Sequence, residues 1–150
     1  MKLGLGIKRK FKAFRDIAYI PLQIGKVKIF CVSMQRNGTT SVGAFFLAAS
    51  KFRVARYNYS WENQWTYKWS IGDYESIFNS SKFRSCQAYE DDPWWLPDFY
   101  RVLNYRFPNS KFILFYRDSD AWFNSMMSHS NCHESRPTPR MMKDTLGWRC

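Results

Sequence analysis

The sequence predicts an α/β fold, a three-layer sandwich with a mainly parallel central sheet. Two observations carry that prediction. Short apolar runs rich in β-branched and aromatic residues alternate with stretches of helical spacing, the pattern of parallel strands joined by helices. Three polar clusters, at 35–40, 90–92 and 117–120, each fall just past the end of such a run. Open parallel sheets bind ligands beyond the carboxyl ends of their strands. The chain's 150 residues suffice for one domain with a real core.

The first strand is expected over 27–33 (VKIFCVS), where β-branched and aromatic residues run together as in a strand buried on both faces. A polar loop, 34–38, leads into a helix from Thr39 (TTSVGAFFLAAS), with Thr39 or Thr40 near its start. A second strand is expected over 52–57. Residues 61–81 are aromatic and polar without clear periodicity, and yield only a short helix at 74–79. A third strand over 84–89 (RSCQAY) ends at Glu90, Asp91, Asp92 and Pro93. Leu96, Phe99, Tyr100, Leu103 and Phe107 then keep helical spacing, and Pro108 ends that helix. The clearest strand is 111–116 (KFILFY). After it the chain turns at 117–120 and enters a helix over 121–127, with Asp120 as the expected cap. Beyond Ser130 only a weak helix at 141–146 is expected.

Composition narrows the function classes. Seven Trp, nine Tyr and thirteen Phe argue against disorder. Of the net charge of +11, residues 1–28 carry +7, with eight Lys/Arg against Asp16 alone, leaving +4 for the rest. The expected organisation is therefore a basic N-terminal extension, 1–26, before one α/β domain, 27–150. Phe11, Phe14 and Ala18 share a helical face amid Lys and Arg, which suits contact of residues 1–28 with an anionic membrane surface. The alternative is a solvated basic extension with a few docking aromatics. No RNA-binding signature accompanies the charge, and nucleic acid is not expected as a partner. The four cysteines lack CxxC spacing, and Cys31 and Cys86 sit in apolar runs, which points to a reducing, cytoplasmic compartment. Cys132 and His133 with His129 lack a second pair at zinc spacing, so no metal is expected. No run reaches the roughly 20 apolar residues of a membrane span.

The loop Gln35, Arg36, Asn37, Gly38, Thr39, Thr40 has the makings of an anion cradle. Gly38 permits close backbone approach, a helix start presents free N–H groups, and Arg36 and the threonines add charge and donors. It lacks the G-x-x-x-x-G-K-[ST] pattern, which disfavours an ATP-binding loop and a kinase. A plain strand-to-helix turn is the competing reading. Arg117 at a strand end, with Ser125 eight residues on, could grip a second phosphate; alternatively Arg117 pairs with Asp118 on the surface.

Taken together, K-I-F-C-V-S-M-Q-R-N-G-T-T-S resembles the 5′-phosphosulfate loop of sulfotransferases that use 3′-phosphoadenylyl sulfate (PAPS). The segment A-Y-E-D-D-P-W-W…F-P-N-S-K-F-I-L-F-Y-R-D-S-D-A-W-F-N-S resembles their acidic D-x-P turn and 3′-phosphate motif. The resemblance covers roughly 27–130 and implies the P-loop-like sulfotransferase fold. It implies that Arg36, Asn37, Gly38, Thr39 and Thr40 hold the 5′ phosphate, Arg36 also steadying the leaving oxygen, and that Arg117 and Ser125 hold the 3′ phosphate. Asn37 stands where these enzymes have Ser or Thr. The implied reaction is transfer of a sulfuryl group to a hydroxyl or amine of a small-molecule or saccharide acceptor, with PAPS as co-substrate and no metal. Asp91 is the first choice for the general base and Glu90 and Asp92 the alternates, unless these acids cap the helix near Pro93. The aromatics of 61–69 and Trp94 and Trp95 could line a saccharide cleft, although core packing is their commoner use. The family's chains run longer, and nothing after Ser125 matches their segment over the 3′ phosphate and adenine, so the C-terminal part of the domain is expected to be missing. The alternative function is a basic binding module for nucleic acid or membrane, without catalysis.

Overall fold

The computed structural model describes residues 3–49 and 52–131; the helix expected at 141–146, and Cys132, His133 and Cys150, lie outside them. Four strands, β1 (Ile29–Cys31), β2 (Val54–Ala55), β3 (Ala88–Tyr89) and β4 (Lys111–Ile113), form one parallel sheet in the order β2-β3-β1-β4. Ile29 lies opposite Ala88 on one side and Lys111 on the other. Helices α1 (Leu3–Tyr19), α2 (Thr39–Ala49), α3 (Tyr57–Asn63), α4 (Trp65–Ser70), α5 (Tyr74–Phe78), α6 (Ser81–Arg84), α7 (Phe99–Arg106) and α8 (Ser119–Asn131) flank it. This is the predicted α/β class on a parallel sheet.

Every strand is shorter than its apolar run, for local reasons. The expected third strand loses its first residues to α6, where the Ser80 hydroxyl accepts from the Phe83 N–H at 3.2 Å and so caps a helical turn that includes Arg84. In the fourth, the ladder stops at Ile113, whose carbonyl accepts from Val32, and the Phe115 N–H turns to the Ser33 hydroxyl at 2.6 Å. The 61–81 segment holds the short helix expected at 74–79 as α5, together with α4 and the last turn of α3, which were not expected, joined by left-handed Gln64 and Gly72. Asp73 caps α5 through the Ser76 N–H.

The aromatic content is the core. Phe30 of β1 is fully buried and stacks on Tyr89 of β3 at 4.8 Å and Phe112 of β4 at 5.8 Å, with Trp94 at 5.5 Å. Trp65 and Trp94 meet edge to face at 5.4 Å, so both are core residues and not part of a saccharide cleft. Cys31 and Cys86 are buried free thiols, and burial raises the pKa of each, which keeps them unreactive. Helix α1 docks through buried Asp16, which pairs with both Arg53 and Lys82. Among the described residues no helix is long and apolar enough to cross a membrane.

Candidate functional site

The carboxyl ends of β3, β1 and β4, three neighbours in the sheet, bring the three polar clusters to one edge. From β1 the chain passes through Met34 and Gln35 to Arg36 and Gly38, both in the left-handed region with φ of 67° and 85°. Glycine takes that conformation freely; for Arg36 it is a sparsely populated one that surrounding contacts must hold. The Gly38 carbonyl accepts from Ser41 at 2.9 Å and Val42 at 3.2 Å, opening α2. The amides of Gly38, Thr39 and Thr40 precede the first helical bond, as the first N–H groups of any helix do. They sit at the positive end of the helix dipole. Thr39 is buried and Thr40 exposed, so the two hydroxyls differ in access. The Asn37 Oδ1 is buried without a hydrogen-bond partner.

The expected second grip folds onto this loop. The Arg36 Nε donates to the Ser125 hydroxyl of α8 at 3.1 Å, and the Arg117 Nη1 donates to the Arg36 carbonyl at 3.0 Å. Arg117 thus reaches across to the loop. Indole Nε1 of Trp122, one turn before Ser125, donates to the Gln35 carbonyl at 2.8 Å. Helix α8 opens earlier than expected: the Asp118 carboxylate accepts from the Ala121 N–H at 3.0 Å, so Asp118 is the cap and Asp120 lies within the first turn. His129 lies on α8. Among the described residues no group of His, Cys, Asp and Glu is arranged to hold a metal ion.

The three acids after β3 have different surroundings. Glu90 is buried and lies against α2; its Oε1 accepts from Arg56 Nε at 2.8 Å, while its Oε2 is buried without a hydrogen-bond partner. A Cβ built on Gly43 would fall 2.6 Å from the Glu90 carboxyl carbon. Glycine inside a helix costs stability, and here the close approach of a carboxylate explains it. Glu90 is buried and held by Arg56, so it cannot swing clear; Gly43→Ala sets a clash of about 1–3 kcal/mol against about 1 kcal/mol of helix propensity gained, and is expected to lower the denaturant midpoint with an unchanged slope. Asp92 is held by the Gln35 amide, 3.1 Å from each oxygen, and by Trp95 Nε1 at 2.6 Å. Trp95 thus orients an acid of the turn.

Asp91 is the third. It takes a left-handed backbone at φ 68°, and its Oδ1 is buried without a hydrogen-bond partner. Burial, then the neighbouring charges of Asp92 and Glu90, push its pKa up to about 7. A carboxylate near neutrality with a vacant acceptor atom can take a proton. Glu90 and Asp92 are also raised by burial; Glu90 too keeps one buried oxygen, Oε2, without a partner, but its other oxygen pairs with the Arg56 guanidinium, whereas Gln35 and Trp95 engage Asp92.

Sequence reasoning named every polar cluster here but gave no role to Trp122 or Gly43, placed Gln35 only within the loop, and offered Trp95 for a saccharide cleft and not for the acidic turn. Gly43 carried a readable signal, an isolated glycine within a helical run; Trp95 bonds Asp92 only three residues away, whereas Gln35 and Trp122 act through long-range bonds that no local spacing reveals.

A family model described as a sulfotransferase domain matches residues 28–149. No curated protein and no solved structure matches the chain. The match runs from β1 through the loop, the acidic turn and the Arg117–Ser125 segment, and covers most of the sequence, so the chain belongs to the sulfotransferase domain family, transferases that move sulfuryl groups.

Proposed function

We propose that the chain takes its sulfuryl group from PAPS, and that its acceptor is a hydroxyl or amine of a small molecule or saccharide. One observation carries the reading: Arg36, Arg117 and Ser125, from two distant segments, meet at the start of α2, beside the acidic turn that Gln35 ties to the loop. A 3′,5′-bisphosphorylated adenosine presents two anionic groups, and this cluster offers two guanidinium groups, a hydroxyl and helix-start amides. A phosphate here exchanges the Arg36–Ser125 bond for charge-assisted bonds, which are stronger. The residues present fit the donor.

The chemistry the donor supplies is a sulfur–oxygen bond to a 5′ phosphate, broken as the acceptor oxygen or nitrogen bonds to sulfur. The protein aligns the acceptor and stabilises charge growing on the departing phosphate oxygen, a service that suits Arg36 and the α2 amides. The acceptor proton passes to Asp91, whose vacant Oδ1 suits it. Arg117 and Ser125 hold the 3′ phosphate, and Thr39 and Thr40 line the 5′ one with Asn37 and Gly38.

Calorimetric titration with 3′-phosphoadenosine 5′-phosphate, the product nucleotide, tests the reading. Saturable binding without magnesium is expected, and ATP with magnesium should compete poorly. Preference for magnesium ATP would overturn it in favour of a kinase.

A further inference from the structure

Helix α1 has two faces with different partners. Asp16 is fully buried and bonded to Arg53 and Lys82. Lys12, one turn before it, binds the Glu62 carboxylate of α3 at 2.8 Å. These contacts fix which side of the helix faces the α/β domain. On the other side Phe11 and Phe14 are 72% and 73% exposed, and Ile17 is 57% exposed. Phe11, Phe14 and Ala18 recur at three- and four-residue spacing, which stacks them along one outward strip. Leu22 and Ile24, in the turn that follows, are exposed as well. Exposed Lys10, Arg15 and Lys26 accompany them.

The charge on this segment has one sign. Its single acid, Asp16, faces inward and pairs with two cations, so the exposed charges of the segment among the described residues are basic. We infer that α1 and the turn after it form an anchor for an anionic lipid surface, with Phe11, Phe14 and Ile17 entering the acyl boundary and Lys10, Arg15 and Lys26 meeting the headgroups. Aromatic and aliphatic side chains flanked by Lys and Arg on a helix lying in the surface plane are what such binding uses. Each basic residue near an anionic leaflet adds attraction that salt screens. The anchor holds the domain through the opposite face of the same helix, and it does not depend on the donor-binding reading above.

The test is co-sedimentation of the full chain with vesicles of phosphatidylcholine alone or with about one-third phosphatidylserine. Partition is expected to rise at least about tenfold with phosphatidylserine and to fall as salt is raised to about 0.5 M. The Phe11→Ser/Phe14→Ser double variant should lose at least about tenfold in partition, and Lys10→Glu/Arg15→Glu about as much. Both pairs are exposed, so circular dichroism should remain unchanged. Equal partition to the two vesicle types, no partition, or partition unaffected by both variants would overturn the inference. So would a concentration-dependent dimer abolished by the phenylalanine variant, which would make this face a contact between copies of the chain.

Discussion

Arg117→Ala is expected to weaken binding of 3′-phosphoadenosine 5′-phosphate by about 10- to 100-fold, the net loss of one charge-assisted hydrogen bond at about 1.5–3 kcal/mol. Arg117 is exposed, and the hydrogen bond it makes in the structure is to the Arg36 carbonyl. Removing it should therefore leave thermal stability almost unchanged. Arg36→Ala strips a different contact. It removes the partner of Ser125 but leaves the backbone carbonyl to which Arg117 donates, so Arg117 keeps its position. Arg36→Ala should then weaken nucleotides with and without a 3′ phosphate alike, whereas Arg117→Ala should act on the 3′-phosphorylated ones. Lysine at 36 should restore charge but not the planar fork of donors, and is expected to recover part of the loss. Calorimetry on the wild type, the two alanine variants and Arg36→Lys reads all of these.

Asp91→Asn should have the largest effect on turnover, lowering it by about 10²- to 10⁴-fold, the usual contribution of a positioned base. Nucleotide affinity should stay within about threefold, because no phosphate role falls to Asp91. In the wild type the rate should rise with pH through about 7 as Asp91 loses its proton. Stability moves the other way. The folded chain holds the Asp91 proton up to about pH 7, whereas an unfolded aspartate releases it near its ordinary value of 3.8. Between those values the folded state binds more protons than the unfolded one, so stability falls as pH rises through that window. The asparagine of the variant carries no charge to bury. The variant is therefore expected to melt higher than the wild type above pH 7 while turning over far more slowly, the usual opposition between a strained site and a stable fold. Asp92→Asn should differ, since Gln35 and Trp95 hold that carboxylate and its loss loosens the turn. An Asp91→Asn variant with full turnover and an unchanged pH profile would remove Asp91 as the base.

The sheet and the site loop were legible in the sequence because both rest on local patterns. Residues 27–33 had to be a buried strand, and Gly38 followed by two threonines had to open a helix; β1 and α2 stand there. What the sequence could not show was who meets whom across it. Gln35 reads as one more polar loop residue until Asp92, 57 positions on, accepts from it. Asp118 and Asp120 both suit a helix cap, and only the backbone path out of β4 selects Asp118. Strand ends were overestimated for a related reason. Apolar residues continue past Ile113, but the Phe115 N–H pairs with Ser33, so hydrogen bonds end that ladder before the hydrophobic pattern does, while Arg84, expected in the third strand, belongs to a capped turn. Helix α1 held the opposite lesson. Its lone acid looked incidental among five basic residues, yet Asp16 is the buried pivot that docks it.

The central claim is that Arg117 and Ser125 grip a 3′ phosphate while the loop at Arg36 grips the 5′ one. Comparing calorimetric affinities for 3′-phosphoadenosine 5′-phosphate and adenosine 5′-phosphate, in the wild type and in Arg117→Ala, isolates that grip. The wild type is expected to prefer the bisphosphate by about tenfold or more, and the preference to collapse in the variant. Equal affinity for the two nucleotides in the wild type, or a preference that survives the loss of Arg117, would contradict that claim.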